Sequence, residues 1–135
     1  DTLGHDAGDA LLRAAAQRLK ECVRRSDLVA RLGGDEFVVM LEELRHAEDA
    51  AVTAQKIIAV LSHPFNLNGL EMQVSASIGI TLFPEDADTS SGLIKNADTA
   101  MYRAKERGRN GYQFFTADLH QRSQRRLWLE TELRH

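Results

Sequence analysis

Only one cysteine, Cys22, occurs in the 135 residues, so no disulfide can form within the chain. Its apolar neighbourhood marks it as a core thiol, which suits a reducing cytosol. No apolar run approaches the roughly 20 residues needed to cross a bilayer. No segment has the build of a secretory signal. The five histidines, at positions 5, 46, 63, 120 and 135, lack metal-ligand spacing, which argues against a zinc site. No serine occupies a nucleophile elbow, and no Walker-type glycine loop is present. Low-complexity tracts and internal repeats are also lacking. So is a large excess of one charge: 17 Lys and Arg stand against 20 Asp and Glu, a formal net charge of -3. A mildly acidic chain does not attract a nucleic-acid backbone as a whole. Nucleic acid is therefore not an expected partner, and any phosphate ligand must be met by a few placed cations.

What remains is an ordinary globular composition, 43% hydrophobic and 27% charged, of a length that suits one domain. The opening Asp1-Thr2-Leu3-Gly4-His5 has no Met and reads as a loop-like phrase, so the expectation is a fragment of a longer protein. Leu11, Leu12, Ala15, Leu19, Cys22 and Val23 recur at helical spacing and predict a helix over 8–25, with Asp9 near its start, where a carboxylate favours the helix dipole. Leu28 to Leu32 and Phe37 to Leu41 predict two strands joined by a glycine-tight reversal with Asp35 and Glu36 at its tip. A second helix is predicted over 47–62, ended by His63-Pro64. Asn68-Gly69 predicts a hairpin between 65–67 and 72–74, and alternation from Ser75 to Phe83 predicts a strand closed by Pro84. A third helix is predicted over 89–107, ending near Gly108, followed by a short strand at Tyr112 to Phe115. The tail from about Ala117 to His135 is charged and helical in pattern, a linker or a docking helix. Helices interleaved with mostly antiparallel strand pairs argue for an α+β sandwich, a mixed sheet flanked by helices.

Three constellations could carry chemistry. Asp35 and Glu36, adjacent on a tight turn, form a compact oxygen cluster of the kind that hard cations such as Mg²⁺ accept together with phosphates and water. A solvated acidic turn is the plain alternative. Lys105, in the last turn of a helix, and Arg109, just past its end, could clamp phosphate as a point charge and a bidentate fork. They could equally serve only the helix dipole. Arg24 and Asp27 are spaced for a local ion pair, worth about 0–1 kcal/mol if exposed.

Taken in order, Leu3-Gly4-His5-xx-Gly8-Asp9, Arg24-xx-Asp27, Ala30-Arg31-Leu32-Gly33-Gly34-Asp35-Glu36-Phe37, Ser75-xx-Ser77-Ile78-Gly79 and Ala97-Asp98-xx-Met101-Tyr102-xx-Lys105-xx-Gly108-Arg109-Asn110 resemble the GGDEF domain of diguanylate cyclases over nearly the whole chain. The resemblance implies a ferredoxin-like, class III nucleotide-cyclase-type α+β sandwich and a bacterial signalling enzyme that condenses two GTP into cyclic di-GMP and pyrophosphate. It implies Mg²⁺ (or Mn²⁺) held by Asp35 and Glu36, the catalytic pair. Gly33 and Gly34 would let the hairpin backbone sit against GTP, Asp9 would contact the guanine edge, and Leu12 would pack near the base. Lys105 and Arg109 would neutralise the β- and γ-phosphates. Arg24, Asp27 and Arg31 would form an inhibitory site for cyclic di-GMP, the product acting as feedback inhibitor. Two such domains must face each other, so a homodimer is implied.

Members of this family carry a D-x-D-x-F-K-x-x-N strand before the position of Asp1, so the expectation is a domain over 1–116 that lacks its first strand and is inactive alone. Arg126-Leu127-Trp128-Leu129-Glu130 resembles the junction to an EAL phosphodiesterase domain, with 117–135 as a helical linker. A cytoplasmic location, with the parent anchored to a membrane through upstream segments, would fit. Two other roles stay open. One is a catalytically silent GTP-binding regulatory domain controlling an adjacent EAL phosphodiesterase; the other is a dimerisation platform with no nucleotide role.

Overall fold

The computed structural model describes the backbone of residues 2–115 and the side chains from residue 8 onward. The expected linker and EAL junction at 117–135 lie outside the described residues. The described chain runs α1 (Thr2–Cys22), β1 (Leu28–Gly33), β2 (Glu36–Met40), α2 (Ala47–Leu61), β3 (Phe65–Leu67), β4 (Leu70–Met72), β5 (Ser77–Ile80), α3 (Ser90–Glu106) and β6 (Gly111–Phe114). It divides into two units, Asp1–Ser75 and Ala76–His135. No helix among the described residues is long and apolar enough to cross a membrane.

In the first unit α1 packs against α2, β1 and β3. Leu19 and Cys22 of α1 are buried, as are Ala50, Ala51, Ala54, Ile57 and Leu61 of α2. Alanines on the α2 face let two helices approach closely, and the larger Ile57 and Leu61 contribute about 1.5–3 kcal/mol each by burial. Phe65, only 1% exposed, closes this core at the start of β3. Above it lies Arg18. Its Nη1 donates to the carbonyls of Val60 (3.0 Å) and His63 (2.6 Å), and its Nη2 to that of Pro64 (2.7 Å). Its guanidinium carbon sits 3.5 Å from the Phe65 ring centroid. One side chain of α1 thus binds the carbonyl of Val60, at the end of α2, and those of His63 and Pro64 just past it.

Helix α1 starts earlier than its periodicity predicts and ends earlier too, at Cys22 instead of residue 25. The phrase Leu3-Gly4-His5 is therefore helical rather than loop-like. Asp9 sits two turns inside the helix, beyond the first turn where the dipole acts, so its expected dipole role does not hold. Strand β4 begins directly after Asn68-Gly69 rather than at Met72. Both turn residues have positive φ (+52° and +81°), as a two-residue I′ turn requires, and such a turn leaves no slack before pairing begins.

In the second unit α3 packs on β5 and β6. These strands pair in parallel, Ser77 opposite Gly111 through Ile80 opposite Phe114, so the sequence α3 bridges is a crossover unit rather than another hairpin. The expectation of mostly antiparallel pairing holds for β1/β2 and β3/β4 only. Alternation from Ser75 to Phe83 yields just four strand residues, because the chain turns at Leu82. There the Asp86 carboxylate accepts the Leu82 N–H (2.8 Å), and the Asp86 N–H donates back to the Leu82 carbonyl (2.8 Å). Gly79 is where helix and strand nearly touch: a Cβ there would lie 1.9 Å from the Ala97 carbonyl oxygen and 2.5 Å from the Met101 nitrogen. Among the described residues the strands form three two-stranded sheets, β1–β2, β3–β4 and β5–β6, antiparallel and parallel together giving the mixed α+β character.

Candidate functional site

The hairpin β1/β2 is built by its glycines. Gly33 pairs with Glu36, which leaves Gly34 and Asp35 as a two-residue turn. Gly34 has φ +50°, a left-handed conformation that suits glycine, whereas Asp35 is not among the positive-φ residues. Only the first central residue is left-handed, the φ pattern of a II′ hairpin turn. The register also slips between Arg31 and Gly33, so Leu32 is the extra residue of a β-bulge. Asp35 is exposed at the tip, Glu36 is half-buried at the first paired position, and Gly33 and Gly34 are exposed. Next to the turn, Arg31 Nε donates to the Gly34 carbonyl at 2.8 Å.

Asp27 sits at the other end of this hairpin. Its Oδ2 accepts the Arg24 backbone N–H at 2.9 Å and its Oδ1 accepts the Glu42 backbone N–H at 3.0 Å. The Asp27 N–H in turn donates to the Arg24 carbonyl at 3.0 Å. The ion pair expected from the Arg24–Asp27 spacing is replaced by a carboxylate that ties the entry of β1 to the exit of β2. The reason is geometric: α1 ends at Cys22, so Arg24 lies in a turn whose amides point at Asp27. Arg24 and Arg31 are both exposed. Asp9 and Leu12 are half-buried on α1, the helix that packs against β1.

The cations expected to meet phosphate lie in the second unit. Helix α3 begins with Thr89 accepting the Gly92 N–H at 3.1 Å and ends in a Schellman motif. The Gly108 N–H reaches the Lys105 carbonyl (3.4 Å) and the Arg109 N–H reaches the Ala104 carbonyl (3.0 Å), with Gly108 at φ +106°. This places Arg109 one residue beyond the glycine, itself left-handed at φ +63°, as is Asn110 at +50°. A non-glycine residue held there carries strain of order 1–3 kcal/mol, the kind of backbone found at ligand sites. Lys105 and Arg109 are both exposed at the helix C-terminus, where cations are favoured.

The described residues contain no group of three or more His, Cys, Asp or Glu side chains arranged to hold a metal. Asp35 and Glu36 match the sparser set used by Mg²⁺, one or two carboxylates completed by substrate phosphates and water. Their hard oxygen donors fit Mg²⁺ or Mn²⁺ and do not suit a soft metal. Among the described residues, Cys22 departs from ordinary titration: burial raises the thiol pKa, Lys56 lowers it and Glu21 raises it; this thiol belongs to the core of the first unit.

The family described as diguanylate cyclase, GGDEF domain, matches residues 1–111. The chain is 46% identical over 134 residues to the bifunctional diguanylate cyclase/cyclic di-GMP phosphodiesterase MucR of Pseudomonas aeruginosa, covering 99% of this chain and 19% of MucR. It is 40% identical over 134 residues to the cyclic di-GMP phosphodiesterase NbdA of the same organism, covering 99% of this chain and 17% of NbdA. The crystal structure of the GGDEF domain of TpbB (YfiN), also from Pseudomonas aeruginosa, superposes with a TM-score of 0.82 at 45% identity, covering 87% of this chain and 74% of that one. The chain thus spans about a fifth of the length of the curated relatives MucR and NbdA.

Proposed function

The chain belongs to the GGDEF diguanylate-cyclase family, and on that premise we propose that it forms the catalytic domain of a diguanylate cyclase, joining two GTP molecules into cyclic di-GMP with release of pyrophosphate. The observation that carries this reading is the two-residue turn Gly34-Asp35, which puts an exposed carboxylate beside Glu36 on a backbone with no side chain at either preceding position.

In this reading Asp35 and Glu36 would hold a divalent cation at the nucleotide site. A bound Mg²⁺ or Mn²⁺ would supply positive charge to the phosphate oxygens and lower the pKa of the attacking hydroxyl. Gly33 and Gly34 admit the nucleotide close to the backbone. Asp9 accepts from the guanine N–H edge and Leu12 packs against the base. Lys105 and Arg109 neutralise the β- and γ-phosphates, which makes pyrophosphate a better leaving group. The 3′-oxygen of one GTP, losing its proton, forms a bond to the α-phosphorus of the other as the bond to the bridging oxygen of pyrophosphate breaks; the second such step closes the ring. Each domain presents one GTP, so two copies must face each other. Arg24, Asp27 and Arg31 take cyclic di-GMP as a feedback inhibitor, the exposed arginines donating hydrogen bonds to its phosphate oxygens.

A second reading has its own support: NbdA is described as a cyclic di-GMP phosphodiesterase, with no cyclase in its description. A GTP-binding domain that makes no product and regulates an adjacent EAL phosphodiesterase is consistent with that description. Incubating the full-length protein with GTP and Mg²⁺, beside an Asp35→Ala control, separates the two. Cyclic di-GMP that appears only with the intact hairpin supports the cyclase. GTP binding without product supports the regulator, and neither binding nor product removes both.

A further inference from the structure

We propose that Arg31 is a positioning residue for the nucleotide site: it fixes the Gly34–Asp35 peptide so that the Asp35 N–H is presented as a hydrogen-bond donor to a phosphate oxygen. The proposal rests on the reading of the hairpin as the GTP site and gives Arg31 a role beyond contact with an inhibitor.

The starting point is the 2.8 Å bond from Arg31 Nε to the Gly34 carbonyl. A trans peptide is planar, and its C=O and N–H point in opposite directions. Holding the Gly34 carbonyl toward Arg31 therefore aims the Asp35 N–H away from it. That N–H donates to no acceptor among the described residues, since the cross-strand pairs on either side, Gly33–Glu36 and Arg31–Phe37, do not include it. The turn peptide is also the one most in need of restraint. Gly34, at φ +50°, has access to the widest range of backbone conformations of any residue type, and a peptide flip between II′-like and other turn forms would reverse the N–H. Arg31 is paired opposite Phe37, yet its side chain reaches forward past the bulged Leu32 to the turn. An amide already aimed at an anion incurs no ordering cost when the anion arrives.

The same bond leaves the two terminal nitrogens of the guanidinium unused by Gly34, so the proposal separates two functions within one side chain. Nε orders the turn, while Nη1 and Nη2 remain available for a ligand. The chemistry of substitution exploits this. In Arg31→Gln the amide nitrogen occupies the same position along the side chain as Nε, so the donor to Gly34 is kept and the charge is lost. In Arg31→Lys the charge is kept and a methylene stands where Nε was.

The test is calorimetric titration of GTP with Mg²⁺ into the full-length protein, wild type and both variants, with a thermal melt of each. The expected result is GTP affinity within about threefold of wild type for Arg31→Gln and a loss of about tenfold for Arg31→Lys, the size of one hydrogen bond, with melting temperatures unchanged. Affinity that is retained in Arg31→Lys and lost in Arg31→Gln shows a purely electrostatic role and overturns the proposal. Losses that track a falling melting temperature in both variants show a merely structural role and also overturn it. A wild-type protein that binds no GTP removes the reading of the hairpin itself, an outcome that neither variant is needed to recognise.

Discussion

Asp27 and Glu42 are joined by a 3.0 Å bond from the Glu42 N–H to the Asp27 carboxylate, and the second carboxylate oxygen holds the Arg24 N–H. The hairpin that carries Asp35 is thereby closed at its base. Asp27→Ala removes two charge-assisted bonds to exposed backbone amides and should lower stability by about 1–2 kcal/mol in urea unfolding. Arg24→Ala leaves those bonds to the backbone intact and should leave stability unchanged while abolishing cyclic di-GMP binding. Equal destabilisation by both variants would contradict the assignment of Asp27 as the structural partner.

Arg18 is a larger effect. Its three bonds to the carbonyls of Val60, His63 and Pro64 and its contact with Phe65 are lost together in Arg18→Ala, which should destabilise the protein by about 2–3 kcal/mol. Arg18→Lys keeps charge but offers no planar fork to three carbonyls, so it should recover less than half of that loss. Full recovery in a denaturant melt would show that charge alone matters.

Gly79→Ala tests the contact between β5 and α3. A methyl group 1.9 Å from the Ala97 carbonyl cannot be accommodated by side-chain rotation, because the opposing atoms are backbone. Helix and strand must separate, at about 3 kcal/mol. A variant that melts within a degree of wild type would mean that the two elements are not packed this closely.

Cys22 gives a pH signature. Burial raises the thiol pKa above 9.0, so the folded state keeps the proton after the unfolded chain has lost it. The stabilisation is fully present below the unfolded pKa and is lost as pH rises through the folded one, so this group's contribution falls in the alkaline range above about pH 9. The Cys22→Ala variant should show a shallower alkaline loss of stability than wild type. The native thiol should also react slowly with iodoacetamide at pH 8 and become reactive in urea. Rapid native alkylation would contradict its burial.

Much of the fold was legible because its signals are local. Periodicity marked α2 and α3 to within about two residues, and Gly108 ended α3 where the Schellman motif needs a left-handed residue. Asn68-Gly69 announced its turn for the same reason; Gly33-Gly34 announced a reversal, but its two central residues are Gly34 and Asp35, and Glu36, expected at the tip, is paired in β2. Parallel pairing of β5 with β6 was not legible, since the partners are more than thirty residues apart and neither strand encodes the direction of the other. Arg18 was passed over because nothing in its own helix distinguishes it from a solvent-facing arginine; its partners lie over forty residues away. Among the candidate site residues, the order of motifs brought out Asp35, Glu36, Lys105 and Arg109. The bonds that Arg31 and Asp27 make to the backbone depend on a bulge and a turn that no residue type announces.

The central claim is that the Gly34-Asp35 turn presents a metal-dependent GTP site. Calorimetric titration of GTP into the full-length protein, with and without Mg²⁺, in wild type and Asp35→Ala, tests it most directly. Mg²⁺ should strengthen GTP binding in the wild type by about tenfold or more, the size of a charge-assisted contact, and that gain should vanish in Asp35→Ala. The same Mg²⁺ dependence in both proteins would place the metal elsewhere and contradict the account.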